Sequence, residues 1–276
     1  MKILLLADTH IRDANDWQAL ESFGDIVAAA APDIILGCGD YVHEGVTRYQ
    51  DPETPEYERL FAQLSAWGKS YTICGNHDAL KIIRHHNQKM HPDVGFSDKG
   101  DFVLALGDYN LICLQTPPAV TGRVRANADV TPQQLQWLAQ TLQTSRIAYI
   151  IMHHPPAGQT WSEDFAAIIR PHAAKIKTIL YAHQHWPEEL DIAGVPAICL
   201  PPFGRFLPAP GMEATHEEFH LVRGAGLLDL DLESPLAPNA AWISRVGGRQ
   251  MTYQEYQNEY RQYFRPEPMS IPGTQP

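Results

Sequence analysis

The chain has 276 residues, 44% of them hydrophobic, which is enough for a core that folds without disulfide staples, in one large domain or two small ones. Its formal charge is −11, from 21 Lys plus Arg against 32 Asp plus Glu, and no run of Lys or Arg makes a basic stripe, which argues against duplex nucleic acid as the main partner. An acidic chain of this kind binds an anion where a metal site supplies local positive charge. The apolar run from Ile3 to Ala7 is interrupted by Asp8 and is too short for a secretion signal or a membrane span. Cys38, Cys74, Cys113 and Cys199 sit in separate apolar runs without Cys-x-x-Cys spacing, the pattern of reduced, buried thiols in a cytoplasmic protein.

Lys2-Ile3-Leu4-Leu5-Leu6-Ala7 reads as a fully buried strand ending at Asp8-Thr9-His10, which places two potential ligands two residues apart. Trp17, Leu20, Phe23, Ile26, Val27 and Ala30 recur at near-helical spacing before Pro32, which predicts one helix over 17–30. Ile34 to Cys38 repeats the strand pattern and runs into Gly39-Asp40, so strand, helix, strand and acid give the rhythm of a βαβ unit. Thr54-Pro55 opens a helix to about Ser65 with a capping hydroxyl and Pro in the first turn. A third strand, Ser70 to Cys74, delivers Gly75-Asn76-His77-Asp78 as a sharp turn at the carboxyl edge of a sheet.

Residues 84–99 show no period and carry His85, His86 and His91, so a loop or small cap of solvated histidines is expected there. Phe102 to Leu106 and Asn110 to Gln115 flank Gly107-Asp108 as a β-hairpin, which makes the sheet system mixed. An irregular stretch over 116–130 precedes Thr131-Pro132-Gln133-Gln134, a capping box that opens a helix to Gln143. Ile147 to Met152 and Ile179 to Tyr181 are buried strands ending at His153-His154-Pro155-Pro156 and Ala182-His183-Gln184-His185, and further β segments are expected over 197–200 and 227–232. After Leu236 the composition shifts. Thr252 to Glu255 caps a last helix whose Tyr253, Tyr256, Tyr260, Tyr263 and Phe264 share a face that packs on its own domain or, alternatively, forms a homodimer contact. The expected division is a catalytic domain over 1–235 and an extension over 236–276 with one amphipathic helix and a loose, Pro-rich end.

Five polar clusters each follow an apolar run of strand length. They offer Asp8, His10, Asp40, Asn76, His153, His183 and His185 as oxygen and nitrogen donors. No thiolate is among them, which favours a catalytic site for Mn, Fe or Zn over a structural zinc knuckle. Seven donors exceed what one ion takes from protein while keeping an open position; they suit two ions that share a carboxylate.

In this order, Asp8-x-His10, Gly39-Asp40, Gly75-Asn76-His77-Asp78, His153-His154-Pro155-Pro156 and His183-x-His185, the chain resembles the calcineurin-like metallophosphoesterase superfamily. Within it the bacterial cyclic-nucleotide phosphodiesterase-like (class III) branch is the most similar. The resemblance implies an α/β fold, the four-layer αββα sandwich of two mixed sheets flanked by helices. It implies two divalent or mixed-valence ions: one held by Asp8, His10, Asp40 and His185, the other by Asp40, Asn76, His153 and His183. His77 would be the catalytic group over the phosphate, donating a hydrogen bond to a phosphoryl oxygen or protonating the leaving oxygen, with Asp78 orienting it. Hydroxide formed on the metal pair would hydrolyse a small phosphodiester, such as a cyclic nucleotide, by in-line attack. The alternative is a phosphomonoesterase or pyrophosphohydrolase on the same site. From a different class comes a non-catalytic scaffold like the retromer subunit of this fold, disfavoured because all seven donors and His77 are present. His43 and Arg205 are further candidates for substrate contact. One departure is Ala182, where the family usually has Gly before the His-x-His pair; a positive φ there would cost about 1 kcal/mol.

Overall fold

Each apolar run that closes on a polar turn forms a strand, and the strands assemble into two sheets. The computed structural model describes residues 1–43, 54–117, 128, 130–204, 212–214, 223–230, 240–244 and 247–266. In chain order, β1 (Lys2–Leu6), α1 (Ala14–Ser22), α2 (Gly24–Ala30), β2 (Ile34–Gly37), α3 (Pro55–Trp67) and β3 (Lys69–Thr72) form consecutive βαβ units with three parallel strands. Then come α4 (Leu80–Met90), the hairpin β4 (Phe102–Leu106) and β5 (Tyr109–Cys113), α5 (Pro132–Thr144), β6 (Ile147–Ile151), α6 (Ser162–Ile169), a 3-10 turn over Arg170–Lys175, β7 (Ile176–Tyr181), β8 (Glu189–Ile192) and β9 (Val195–Cys199). Last are β10 (Met212–Ala214), β11 (Gly224–Asp229), β12 (Ala240–Ser244), β13 (Gln250–Met251), α7 (Tyr253–Tyr263) and β14 (Phe264–Pro266).

The first six-stranded sheet has the order β13-β12-β11-β1-β2-β3, the second the order β4-β5-β6-β7-β9-β8, and β10 pairs with β14. Both large sheets are mixed: β1, β2 and β3 run parallel while β11 is antiparallel to β1, and β5, β6, β7 and β9 run parallel while β4 and β8 are antiparallel. Strand alternation decides the layers. Ile3, Leu5 and Ala7 of the first sheet meet Leu111, Tyr149, Ile151 and Leu180 of the second in a shared core, while Leu4 and Leu6 face the opposite way toward Leu20, Phe23 and Leu60 of the helices. On the far side of the second sheet Ile150 and Ile179 pack with Leu135 and Leu138 of α5 and Phe165 of α6. Helix, sheet, sheet, helix is the four-layer sandwich expected. No helix among the described residues is long and apolar enough to cross a membrane.

Several local expectations are corrected. The helix expected over 17–30 is two helices that break at Phe23, and the first begins earlier, where the Asp13 side chain accepts from the backbone N–H of Asn15 and Asp16. Residues 84–90, expected as loop, belong to α4, whose inward face is Ile82, Ile83, His86 and Asn87. Polar residues occupy core positions there, which hides the helical period. Asn87 Oδ1 accepts from Thr72 N and Oγ1, its Nδ2 donates to the Thr72 carbonyl, and the His86 ring stacks on Phe61 at 3.7 Å. His86 is therefore a core residue, and His91, expected in solvent, stacks on Tyr71 at 4.0 Å with its Nε2 2.6 Å from the Ser70 carbonyl. Thr54 takes the N-cap position of α3 without a side-chain cap bond.

The segment expected as an extension contributes β12 and β13 to the first sheet, so the division between residues 235 and 236 falls between two strands of one sheet; of the Pro-rich end, residues 267–276 lie outside the described residues. On α7, Tyr256 and Tyr260 are buried in the core between the sheets, with Tyr256 beside Trp242. The capping box of α7 forms, with Glu255 N–H donating to Thr252 Oγ1 and Thr252 N–H to the Glu255 carboxylate.

Candidate metal centre and active site

The parallel strands of both sheets point their carboxyl ends at one edge. Asp8 and His10 follow β1, Asp40 follows β2, and Asn76 and His77 follow β3, all from the first sheet; His153 follows β6, and His183 and His185 follow β7, from the second. The turns that aim these side chains are unusual. Asp8, His10, Asp40, His183 and His185 have φ of 52°, 43°, 55°, 72° and 62°, a left-handed conformation that costs a non-glycine residue about 1 kcal/mol or more. Five of the seven donors share it, so the strain is concentrated where side chains must converge. Ala182 is not among the positive-φ residues, and its replacement of Gly carries no backbone penalty.

Backbone bonds lock the turns to one another. Asp8 N–H donates to the Gly39 carbonyl at 3.0 Å, His10 N–H to that of Asp40 at 3.0 Å and Ile11 N–H to that of Tyr41 at 2.9 Å. Gly75 has no alternative: a Cβ there would collide with the Asp40 carboxylate and backbone. The Asp78 carboxylate is engaged by the backbone of these same turns. Oδ2 accepts from Asp40 N–H at 2.7 Å and Gly75 N–H at 3.0 Å, and Oδ1 from Tyr41 N–H at 3.1 Å and the Tyr57 hydroxyl at 3.0 Å. Asp78 thus ties the Asp40 turn to the Asn76 turn. Burial, with Asp40 next, pushes its pKa up to about 7, while the Gly75 and Tyr41 N–H donors favour the ionised form.

Two groups of donor atoms result, each with all atoms within 4.8 Å of one another: Asp8, His10, Asp40 and His185 in one, Asp40, His153 and His183 in the other. Asp40 belongs to both. His10 Nε2 lies 3.0 Å from His185 Nε2 and 3.6 Å from Asp40 Oδ2, and His185 Nε2 lies 3.2 Å from Asp8 Oδ1. In the second group His153 Nε2 is 3.3 Å from Asp40 Oδ2 and 3.1 Å from Asn76 Oδ1, which is itself 2.7 Å from His183 Nδ1. The structure brings all seven expected donors together.

These residues fit a pair of cations. Asp8 Oδ1 is buried and accepts no hydrogen bond of ordinary geometry, and two imidazole nitrogens face it and each other, an arrangement that a cation between them resolves. His153 Nδ1 is 2.9 Å from the Cys38 carbonyl, which can only accept; Nδ1 therefore carries a proton and Nε2 is the nitrogen turned to the centre. Burial opposes ionisation of Asp40, yet His153 beside it holds its carboxyl well below the usual range. Asp8, likewise buried, is held low by His185. Burial drives His10 down to about 3 and His183 to about 4, so both rings are neutral and can ligate. For His153, burial lowers the pKa but Asp40 more than offsets it, raising it to about 9, so the metal-free ring also carries a proton on Nε2, which a bound cation would displace.

Above the first group His77 sets its ring edge-on to His10 at 4.6 Å, and His43 stacks on His77 at 5.3 Å. His10, His43 and His77 also bring one nitrogen each within 4.8 Å. The backbone N–H of His77 donates to Asp40 Oδ1 at 2.7 Å, which fixes its loop to the shared carboxylate. Arg205 lies outside the described residues. Sequence reasoning did not single out Gln115, whose Oε1 accepts from Cys74 N–H, or Tyr57; neither carries a motif signal, since both sit in otherwise ordinary element positions.

The sequence profile of the family described as calcineurin-like phosphoesterase matches residues 1–187. Comparison with curated proteins gave no match. Among solved structures the chain is similar to a dimetal phosphatase from Danio rerio, with a TM-score of 0.64 at 14% identity over 92% of this chain and 99% of that one. A purple acid phosphatase from yellow lupin gives a TM-score of 0.55 at 11% identity, over 93% of this chain but 55% of the lupin chain. A 5'-nucleotidase from Candida albicans gives 0.51 at 14% identity, over 93% and 54%. The profile match spans more than half of the sequence and contains every one of the seven donors and His77. The chain belongs to the calcineurin-like phosphoesterase family, and is a metal-dependent phosphoric ester hydrolase.

Proposed function

We propose that the protein hydrolyses small phosphodiesters, of the size and charge of a cyclic nucleotide, at a dinuclear centre in which Asp8, His10, Asp40 and His185 hold one ion and Asp40, Asn76, His153 and His183 the other. The observation that carries this reading is the common membership of Asp40 in both donor groups. Mn, Fe or Zn ions bound there would supply positive charge and lower the pKa of water. Asp8 and Asp40 subtract two from the four positive charges of two dications and the attacking hydroxide one more, leaving about +1, a match for the single charge of a diester.

The chain's own groups do the rest. The His77 loop is fixed to Asp40, and its imidazole, edge-on over His10, is placed to donate to a phosphoryl oxygen or to protonate the departing oxygen. His43, stacked on His77, would orient that ring and offer a further contact to the substrate. Its backbone is held in place by His43 N–H donating to the Ile11 carbonyl at 3.1 Å. The four cysteines are free and buried, which suits a reducing, cytoplasmic setting.

The test is an assay of Mn-loaded protein on a diester, a monoester and a pyrophosphate, for wild type and His43→Ala. A kcat/KM for the diester above that for the monoester, reduced about tenfold in His43→Ala with metal content unchanged, is expected. Faster monoester or pyrophosphate turnover would assign the same centre to those substrates instead.

A further inference from the structure

We propose that Gln115 and Thr116, which follow β5 after Leu114, are a positioning pair for the second ion: they hold its ligands, contributed by different sheets, at working distance. The inference rests on the dinuclear reading above and concerns two residues that give the ions no atom.

None of the seven donors follows β5, although the strand lies beside β6 in the second sheet. Its exit reaches across to the first sheet instead. Gln115 Oε1 accepts from the backbone N–H of Cys74 at 2.7 Å, at the start of the loop that carries Asn76. Gln115 is fully buried and its polar groups are all engaged: Nε2 donates to the Gly100 carbonyl at 3.1 Å, its N–H to Asp101 Oδ1 at 2.8 Å, and its carbonyl accepts from Gln134 Nε2 at 2.9 Å. Asp101 is held in turn by Gln134 Nε2 at 2.9 Å and by the Ser97 hydroxyl at 2.6 Å. A backbone N–H only donates and a carbonyl only accepts, so the amide has one orientation, and the Asn76 loop is anchored to a rigid buried network.

Thr116 grips the other half. Its Oγ1 accepts from His154 N–H at 3.1 Å and lies 3.1 Å from His154 Nδ1, with which it shares a second hydrogen bond. The His154 ring is buried, set edge-on to His153 at 5.0 Å and tilted against His183 at 4.5 Å. Those are the two imidazoles that meet Asn76 Oδ1, at 3.1 and 2.7 Å. Adjacent residues thus fix Asn76 through Gln115 and His153 with His183 through Thr116. Slack at either residue lengthens the contacts of the second site and leaves the group of Asp8, His10 and His185 untouched.

Gln115→Met and Thr116→Val remove these bonds at nearly constant volume, and Thr116→Ser keeps the hydroxyl. Metal-free proteins are titrated with Mn2+ by equilibrium dialysis, their thermal midpoints measured without metal, and the exchange-coupled Mn pair followed by electron paramagnetic resonance at two equivalents. Wild type that takes up fewer than two ions refutes the dinuclear reading itself, and the inference with it. With two ions in wild type, Gln115→Met and Thr116→Val are expected to bind the first ion as wild type does and the second about 10- to 100-fold more weakly, with loss of the coupled signal. Thr116→Ser is expected to restore it. Equal affinity for both ions in the variants, equal weakening of both, or Thr116→Ser behaving as Thr116→Val would overturn the proposal. The serine and valine forms differ by the hydroxyl rather than by foldability, so the comparison survives a poorly folding Gln115→Met.

Discussion

Asn76 Oδ1 and His183 Nδ1 meet at 2.7 Å although their residues leave different sheets, one after β3 and the other after β7. An amide oxygen and an imidazole nitrogen that converge in a buried pocket with a carboxylate nearby make a hard-metal site, and they do so only while both sheet edges stay in register. Each sheet alone supplies an incomplete set. The core of Ile3, Leu5, Tyr149, Ile151 and Leu180 that glues the sheets together is therefore also what assembles the centre.

If His77 acts on the substrate rather than on the ions, His77→Ala should lower kcat about 100- to 10,000-fold while the protein retains its full metal complement. Turnover of a diester beside elemental analysis of the same sample checks this. Loss of metal in parallel with activity would instead make His77 a ligand.

Asp78 should matter for stability as much as for activity. Each of its oxygens accepts at least one backbone N–H, so in Asp78→Asn the amide NH2 must face a backbone donor whichever way it is turned. Urea unfolding of the metal-free protein should show a loss of about 3 kcal/mol. A change within about 0.5 kcal/mol would show that the turns of Asp40 and Asn76 hold without it.

How far the sequence discloses all this depends on the kind of signal. Strands that are buried on both faces announce themselves as unbroken apolar runs, and the donors at their ends stand out because polar side chains there have little else to do; β1, β2, β6 and β7 with Asp8, Asp40, His153 and His183 were legible for that reason. The helix α4 was not, because His86 and Asn87 fill core positions through a ring stack and a set of hydrogen bonds that no hydrophobic period reports. Nor was the hold of Asp78 on three backbone N–H groups, which depends on turns from distant strands meeting. The place of β12 and β13 in the first sheet was hidden by a composition shift that reads as the start of an extension.

His86 gives a pH signature in the acid range. The ring is held below its ordinary value, to about 3, first by burial and then by the charges of His91, Lys89 and His85. The unfolded chain takes up this proton near pH 6.5 and the folded one not until about 3, so stability is complete above 6.5 and falls as the pH drops through that window. Between pH 6.5 and 4.5 the metal-free wild type should lose roughly 2 to 3 kcal/mol more than His86→Phe, which keeps the stack on Phe61. Parallel losses in urea titrations at the two pH values would show that His86 is already accessible to protons.

Ala182→Gly tests the reading of the one departure from the family pattern. Ala182 is fully buried in the core between the sheets and does not have a positive φ, so glycine gains no conformational relief there and loses a packed methyl group. A destabilisation of about 1 kcal/mol is expected from thermal unfolding. A gain in stability would mean that the alanine is strained.

The most direct measurement is the number of ions each chain binds at saturation, in wild type and in Asn76→Ala, by dialysis of metal-free protein against Mn2+ followed by elemental analysis. Two donor groups that share Asp40 predict two ions per wild-type chain and one in Asn76→Ala, whose remaining ion lies among Asp8, His10, Asp40 and His185. A single ion or none in folded wild-type protein, or two ions retained without the Asn76 amide, would contradict the account.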